Sequence, residues 1–188
     1  MGQYVCVGIQ NKVMVPKKGL DEFKEEYSHE ALLDFFEKKY GITDVYDRKE
    51  TETEYLYQLK DDVVEKELLP FLKDFYPLRY HEKERYELAL EKVAACKDVN
   101  ELKELLASSY TDYDNAFQII EDSSLCFLSN SSFDRRFFTV SFQNVSLSID
   151  GKILMEYYAS FFAFIRRSLR QLLKKYRLAD SIRIWIDG

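Results

Sequence analysis

His29, His81, Cys6, Cys96 and Cys126 are the side chains best suited to act as bases, nucleophiles or soft metal ligands, and no two of them are close in sequence. A zinc site of the common kind needs several Cys or His ligands that converge, usually with one pair two to four residues apart. No such pair occurs, so neither a metal nor a cofactor is expected. A carboxylate-only Mg²⁺ or Ca²⁺ site stays open, although among 33 acids a run such as Glu50, Glu52 and Glu54 arises readily without function. Nucleophilic catalysis wants Ser or Cys within reach of a base, usually His. His29 falls in an amphipathic helical pattern and His81 beside Glu82 in a charged one, so each reads as a surface or helix-boundary residue. Cys6 and Cys126 lie in apolar strand patterns, where a buried thiol is an inert hydrophobe. Cys96 ends a helical pattern and is the thiol expected to reach solvent. The six glycines, Gly2, Gly8, Gly19, Gly41, Gly151 and Gly188, stand alone, which excludes a P-loop or dinucleotide fingerprint. No catalytic residue is assigned, and an enzyme working through carboxylates alone is kept as an alternative without a named pair.

Two charged groupings remain. Arg166, Arg170, Lys174 and Arg177 lie roughly 100–180° round a helix from its apolar line, with Arg167 just beyond, and form one basic stripe. Such a stripe suits phosphates or an acidic partner, or it is shielded by acidic helices of its own chain. The other grouping is acidic and tyrosine-bearing: Tyr110, Asp112, Tyr113 and Asp114, with Tyr46, Asp47, Tyr55 and Tyr57 as a second set. Carboxylates interleaved with aromatic rings suit a protein that binds a basic partner, because charge speeds encounter and rings supply contact area. In composition this profile is similar to small bacterial immunity proteins and phage-encoded inhibitors, without a family motif. The leading expectation is a non-enzymatic binding protein with a macromolecular, protein partner, of inhibitor or immunity type. Nucleic-acid or nucleotide binding through the basic stripe is the alternative.

The elements that position these groups are read from periodicity. Gln3 to Val15 alternates, with Val5, Val7, Ile9, Val13 and Val15 on one side and a bend near Gly8. Leu20, Phe23, Tyr27, Ala31 and Phe35 step as one helix to Tyr40, stopped by Gly41. Glu54–Leu59 reads as a strand, and Asp61 or Asp62 as the cap of a helix in which Pro70 kinks the chain or starts a new turn. A charged helix follows over residues 82–96, then a short one capped by Asp98 and Glu101, in the manner of a capping box. Leu125–Leu128 reads as a strand. In the last 55 residues a strand from Arg135 to Ile149 puts Phe138, Val140 and Phe142 opposite Val145, Leu147 and Ile149. A long apolar helix then carries Leu154, Tyr158, Phe161, Ile165, Leu169, Leu172 and Tyr176 along one line, and a strand from Ser181 to Asp187 closes the chain. Asp150-Gly151 either opens that helix or turns a hairpin. This block is expected to form the core, and Phe161 or Ile165 cut to Ala is expected to cost about 2–5 kcal/mol.

The whole chain, 1–188, is expected to be one α+β domain. It would hold a mostly antiparallel or mixed sheet of four or five strands, the long C-terminal apolar helix and several peripheral acidic helices. A chain of 188 residues can bury enough apolar surface to fold without disulfides. Residues 132–188 hold ten Lys or Arg against five acids, and the rest seventeen against twenty-eight, so a net charge of −6 hides a divided molecule. Three widely spaced cysteines and no leader pattern predict a reducing, cytoplasmic setting. The most apolar run, Ile153 to Ile165, is too short to span a bilayer, so a soluble protein without a membrane segment is expected.

Overall fold

The computed structural model describes residues 4–78, 83–108, 117–128, 136–150 and 169–187. In chain order the elements are β1 (Tyr4–Pro16), α1 (Lys17–Asp21), α2 (His29–Tyr40), β2 (Tyr46–Glu50), β3 (Glu54–Leu59), α3 (Asp61–Phe75), α4 (Lys83–Ala95), α5 (Val99–Ala107), β4 (Gln118–Phe127), β5 (Phe137–Asp150), α6 (Arg170–Lys175) and β6 (Ile182–Asp187). Short 3₁₀ turns occupy Tyr76–Leu78 and Arg177–Ser181. The fold is α+β, with a six-stranded sheet whose pairings are all antiparallel. Strand order is β2-β3-β1-β5-β4, and β6 pairs with the first half of β1. β1 pairs with three strands, and two of them, β5 and β6, belong to the C-terminal block. Most of the expected long apolar helix, with Leu154, Tyr158, Phe161 and Ile165, lies outside the described residues, as does the turn after Asp150; of its C-terminal part the structure describes the short α6, and Tyr176, expected on the helix, is extended.

Two bulges set which side chains meet. Asn11 has no register partner, standing between the pairs Gln10–Asn144 and Lys12–Gln143, and Leu147 is the extra residue between Ser146–Gly8 and Ser148–Val7. One extra residue reverses the alternation beyond it. Ile9 pairs with Val145 and Val13 with Phe142, and these β5 residues are three apart, hence on opposite faces. Val13 and Val15 thus point the other way from Val7 and Ile9, which corrects the single-sided alternation expected for this strand. All four are buried, so both faces of the sheet are covered. The carbonyl of Gln10, between the end of the β6 pairing and the start of the β3 pairing, accepts the Tyr46 hydroxyl at 2.9 Å.

The helices differ from their periodicity in instructive ways. The single helix expected from Leu20 to Tyr40 is two: Ser28, in extended conformation, accepts the Ala31 amide at 3.2 Å and starts α2 afresh. Its buried line is Leu32, Leu33 and Phe36, while Phe35 is exposed. Gly41 ends it at φ 61°, the left-handed conformation that glycine adopts without a Cβ clash. In α3 the cap is Lys60, with Asp61 and Asp62 in the first turn, and the helix runs through Pro70 to Phe75. Pro70 is on the exposed side, where water can serve the carbonyl that loses its partner. Asp98 caps α5 as expected, accepting the amides of Asn100 and Glu101. Strand β4 is ten residues long where four were expected, because Glu121, Asp122, Ser123 and Ser124 at the sheet border carry no apolar alternation.

α1, the turn after it and α2 cover one face of the sheet, with Phe23 against Phe138 (6.5 Å between centroids), Phe36 against Tyr57 (5.6 Å) and Tyr40 against Phe142 (5.7 Å). α3 sets Phe71 against Tyr176 (5.8 Å), the residue that follows α6.

Candidate functional site

Glu30, Asp34 and Glu37 are four and three residues apart on α2, so they form one acidic line beside the buried Leu32, Leu33 and Phe36 face. Strand β2 runs next to that line and places Arg48 against it. The guanidinium bonds Glu30 at 2.6 Å and Glu37 at 3.1 Å. Tyr57, the β3 partner of Arg48 in register, donates its hydroxyl to the same Glu37 oxygen at 2.7 Å. Burial, and then donation to a carboxylate, hold the Tyr57 hydroxyl well above its ordinary range, and the bond to Glu30 raises Arg48 beyond its already high value. Neutral Tyr57 and charged Arg48 are the fixed floor of this site.

Around them is an open cleft of about 320 Å³ whose rim includes Thr43, Asp44 and Lys60. Its lining has four carboxylates, Glu30, Asp34, Glu37 and Asp44, against two cations, Arg48 and Lys60. Arg48 engages two of the four. Asp34 and Asp44 are exposed and have no hydrogen bond or ion pair among the described residues. The Thr43 hydroxyl is buried without a partner among the described residues. A cleft with surplus carboxylate charge and a polar floor suits an ammonium or guanidinium group. No group of three or more His, Cys, Asp or Glu among the described residues is placed to hold a metal ion.

A second constellation adjoins it. His29, the first residue of α2, lies between Asp21 (Nε2 to Oδ1, 3.0 Å) and Tyr55 (Nδ1 to Oη, 3.1 Å). With its Nε2 proton on Asp21, the imidazole accepts the Tyr55 proton at Nδ1. Lys17 sits over the Tyr55 ring at 5.2 Å and pairs with Glu50 at 2.7 Å. The chain ties α1, α2 and β3 together, and partners 8 and 26 residues apart could not be paired from sequence spacing. His29 is thus at a helix boundary, as expected, but held in a specific network.

The acidic group Tyr110, Asp112, Tyr113 and Asp114 lies outside the described residues, as do Arg166 and Arg167. Of the second tyrosine set, Tyr46 and Tyr57 line the cleft and Tyr55 adjoins it, while Asp47 is exposed beside them. Arg170 and Lys174 are exposed on α6 without an ion pair among the described residues. Arg177 is not on that helix: α6 ends at Lys175 because Tyr176 is extended at φ −126°. Its guanidinium bonds Glu67 at 2.7 Å and Asp62 at 3.0 Å, and Lys175 bonds Asp74. Acids of α3 therefore engage part of the basic segment. The Cys96 thiol donates to the Lys92 carbonyl, and burial pushes its pKa up, as it does for Cys126; neither has the depressed pKa of a nucleophile.

Glu30, Asp34, Glu37, Asp44 and Arg48 were not singled out by sequence reasoning. The available signal was the i, i+4, i+7 spacing of the α2 acids. Comparison of the chain with protein-family models, with curated proteins and with solved structures finds no match.

Proposed function

We propose that this protein is a non-enzymatic binding protein, of inhibitor or immunity type, that captures a macromolecular partner by a cationic group seated in the α2–β2 cleft. The observation that carries the reading is the pair of unengaged carboxylates, Asp34 and Asp44, beside an Arg48 already held by Glu30 and Glu37. A partner's Lys or Arg meets charge there that no described residue answers, and hydrogen bonds tie Tyr46 and Tyr57 beside it to Gln10 and Glu37. The reading places the protein in the cytoplasm, where cysteines such as Cys6, Cys96 and Cys126 stay reduced.

The test is affinity capture from the native cell at low and high salt, with and without nuclease, using wild type and the Asp34→Asn, Asp44→Asn double variant. A stoichiometric protein partner is expected, lost at high salt and lost with the double variant. A partner retained equally by the variant overturns the cleft as the site. A second reading, nucleic-acid binding, is favoured by Arg170 and Lys174, exposed and without an ion pair among the described residues. Recovery of nucleic acid alone, abolished by nuclease, would move the function to that basic segment.

A further inference from the structure

Two of the border strands of the sheet, β4 and β2, treat their unpaired backbone differently. In an antiparallel pair, alternate residues bond the neighbour and those between point away from it. On β4 the parity follows from Leu128, whose amide bonds the Arg136 carbonyl, so the odd-numbered residues face outward. Two of these outward groups are already occupied: the Ser123 amide donates to the Asp122 carboxylate at 2.6 Å, and the Leu125 carbonyl accepts the Tyr40 hydroxyl at 3.3 Å. Side chains thus plug the middle of that edge, a recognised protection against strand addition.

On β2 the parity is set at both ends, by the Lys60 amide on the Val45 carbonyl and the Thr51 amide on the Glu54 carbonyl. Odd-numbered residues bond β3, and Tyr46, Arg48 and Glu50 point outward. The Tyr46 amide is used by Thr43 at 3.3 Å. The amides and carbonyls of Arg48 and Glu50 have no partner among the described residues, and Asp47 to Glu50 are all exposed. Among the described residues, the β2 edge is open where the middle of the β4 edge is plugged.

The open edge lies beside the acidic line of α2. Arg48 reaches from β2 to both Glu30 and Glu37, so the outward face of α2 borders the space that a strand added to β2 would occupy. Along the helix axis Glu30 and Asp34 are separated by about 6 Å and Asp34 and Glu37 by about 4.5 Å. Same-face residues of an extended chain recur every ~6.8 Å, so successive side chains on one face of an added strand can each meet a carboxylate.

We propose that β2 receives an extended, basic segment of the partner as an added strand, its backbone bonding Arg48 and Glu50 and its alternate Lys or Arg side chains turned toward Asp34 and Asp44. The proposal rests on the cleft reading and gives it a binding mode. A second copy of this chain is a poorer occupant. A two-fold axis through an antiparallel β2–β2 junction keeps both α2 helices on one face, with their Glu30, Asp34 and Glu37 lines opposed.

The probe is a fluorescent nonapeptide of Lys alternating with Thr, compared with two N-methylated analogues, one methylated on the Lys amides and one on the Thr amides. In an antiparallel addition the residues opposite Arg48 and Glu50 share their face and donate to them. Methylation of the Lys amides is therefore expected to weaken binding about tenfold or more, and methylation of the Thr amides to leave it nearly unchanged. Loss in the Thr series alone supports strand addition in the parallel sense. Equal behaviour of the two analogues, or no binding of the unmethylated peptide at millimolar concentration, overturns strand addition. Discrimination between analogues that survives Asp34→Asn, Asp44→Asn leaves strand addition standing and removes the cleft. Binding lost in that double variant without discrimination leaves the cleft and removes the strand. Dimerisation of the protein alone through β2 in sedimentation would also overturn the proposal.

Discussion

At the scale of single residues, Gly8 and Tyr57 show how position overrides type. A Cβ built on Gly8 would come within 2.6 Å of the Val145 carbonyl and 2.8 Å of the Trp185 ring. The ring can shift, but the carbonyl belongs to the neighbouring strand. Gly8→Ala is therefore expected to lose about 1–3 kcal/mol of stability, measured as a fall in urea midpoint. Trimming Trp185 to Phe should recover only part of that loss, because the carbonyl contact remains. The sequence marks Gly8 only as a bend, since the ring that crosses it arrives from 177 residues away. Tyr57 likewise reads as one of several tyrosines, yet it is 2% exposed and joined to Glu37 and through it to Arg48. Its neighbour Tyr55, two residues earlier, meets His29 instead. Nothing in the spacing of the two rings separates those roles.

At the scale of elements, local signals near helix ends were legible because their partners are local. Asp98 caps α5 and Gly41 ends α2 as their types predict. Ser28 carries the same kind of signal, but the apolar steps from Leu20 to Phe35 ran across it and suggested one continuous helix. The cap decides otherwise, since its hydroxyl can serve the Ala31 amide only if the chain enters α2 extended. Ser28→Ala should cost about 1 kcal/mol, whereas Ser28→Asp should be nearly neutral; equal thermal midpoints for Ser28→Ala and wild type would show that the break in the helix does not depend on this cap. Strand β4 extends beyond its periodic pattern for a complementary reason. A border strand with Glu121 and Asp122 exposed needs no alternation to hold its place beside β5, so periodicity is silent there.

For the whole molecule, the divided charge of the chain is partly answered within it, as Asp62 and Glu67 meet Arg177 and Asp74 meets Lys175. The hydrogen bond from Arg177 holds Asp62 below the usual carboxylate range, those from Lys175 and then Tyr176 do the same for Asp74, and that from Lys17 for Glu50. A carboxylate whose folded pKa is depressed adds stability above its unfolded pKa, about 4, and loses it as pH falls further. Tyr46 and Tyr57 act at the other limb: burial raises both, so they stay neutral while the unfolded chain ionises above about pH 10. Urea midpoints are expected to hold from about pH 5 to about pH 9 and to fall on either side. Tyr57→Phe should flatten the alkaline fall; an unchanged alkaline limb in that variant would contradict the role of its burial. The sequence alone determined the α+β class, the strands of alternating valine, isoleucine and phenylalanine, and the absence of a phosphate-binding loop, because periodicity and missing motifs are properties of neighbours along the chain. Only the tertiary structure decided that Val13 turns away from Ile9 and that Arg48 reaches Glu30 and Glu37. It alone decided, too, that the β4 edge is plugged in its middle while, among the described residues, the β2 edge is open. Register, bulges and charge pairing depend on which segments meet, and strands that pair across more than a hundred residues leave no trace of their register in local spacing.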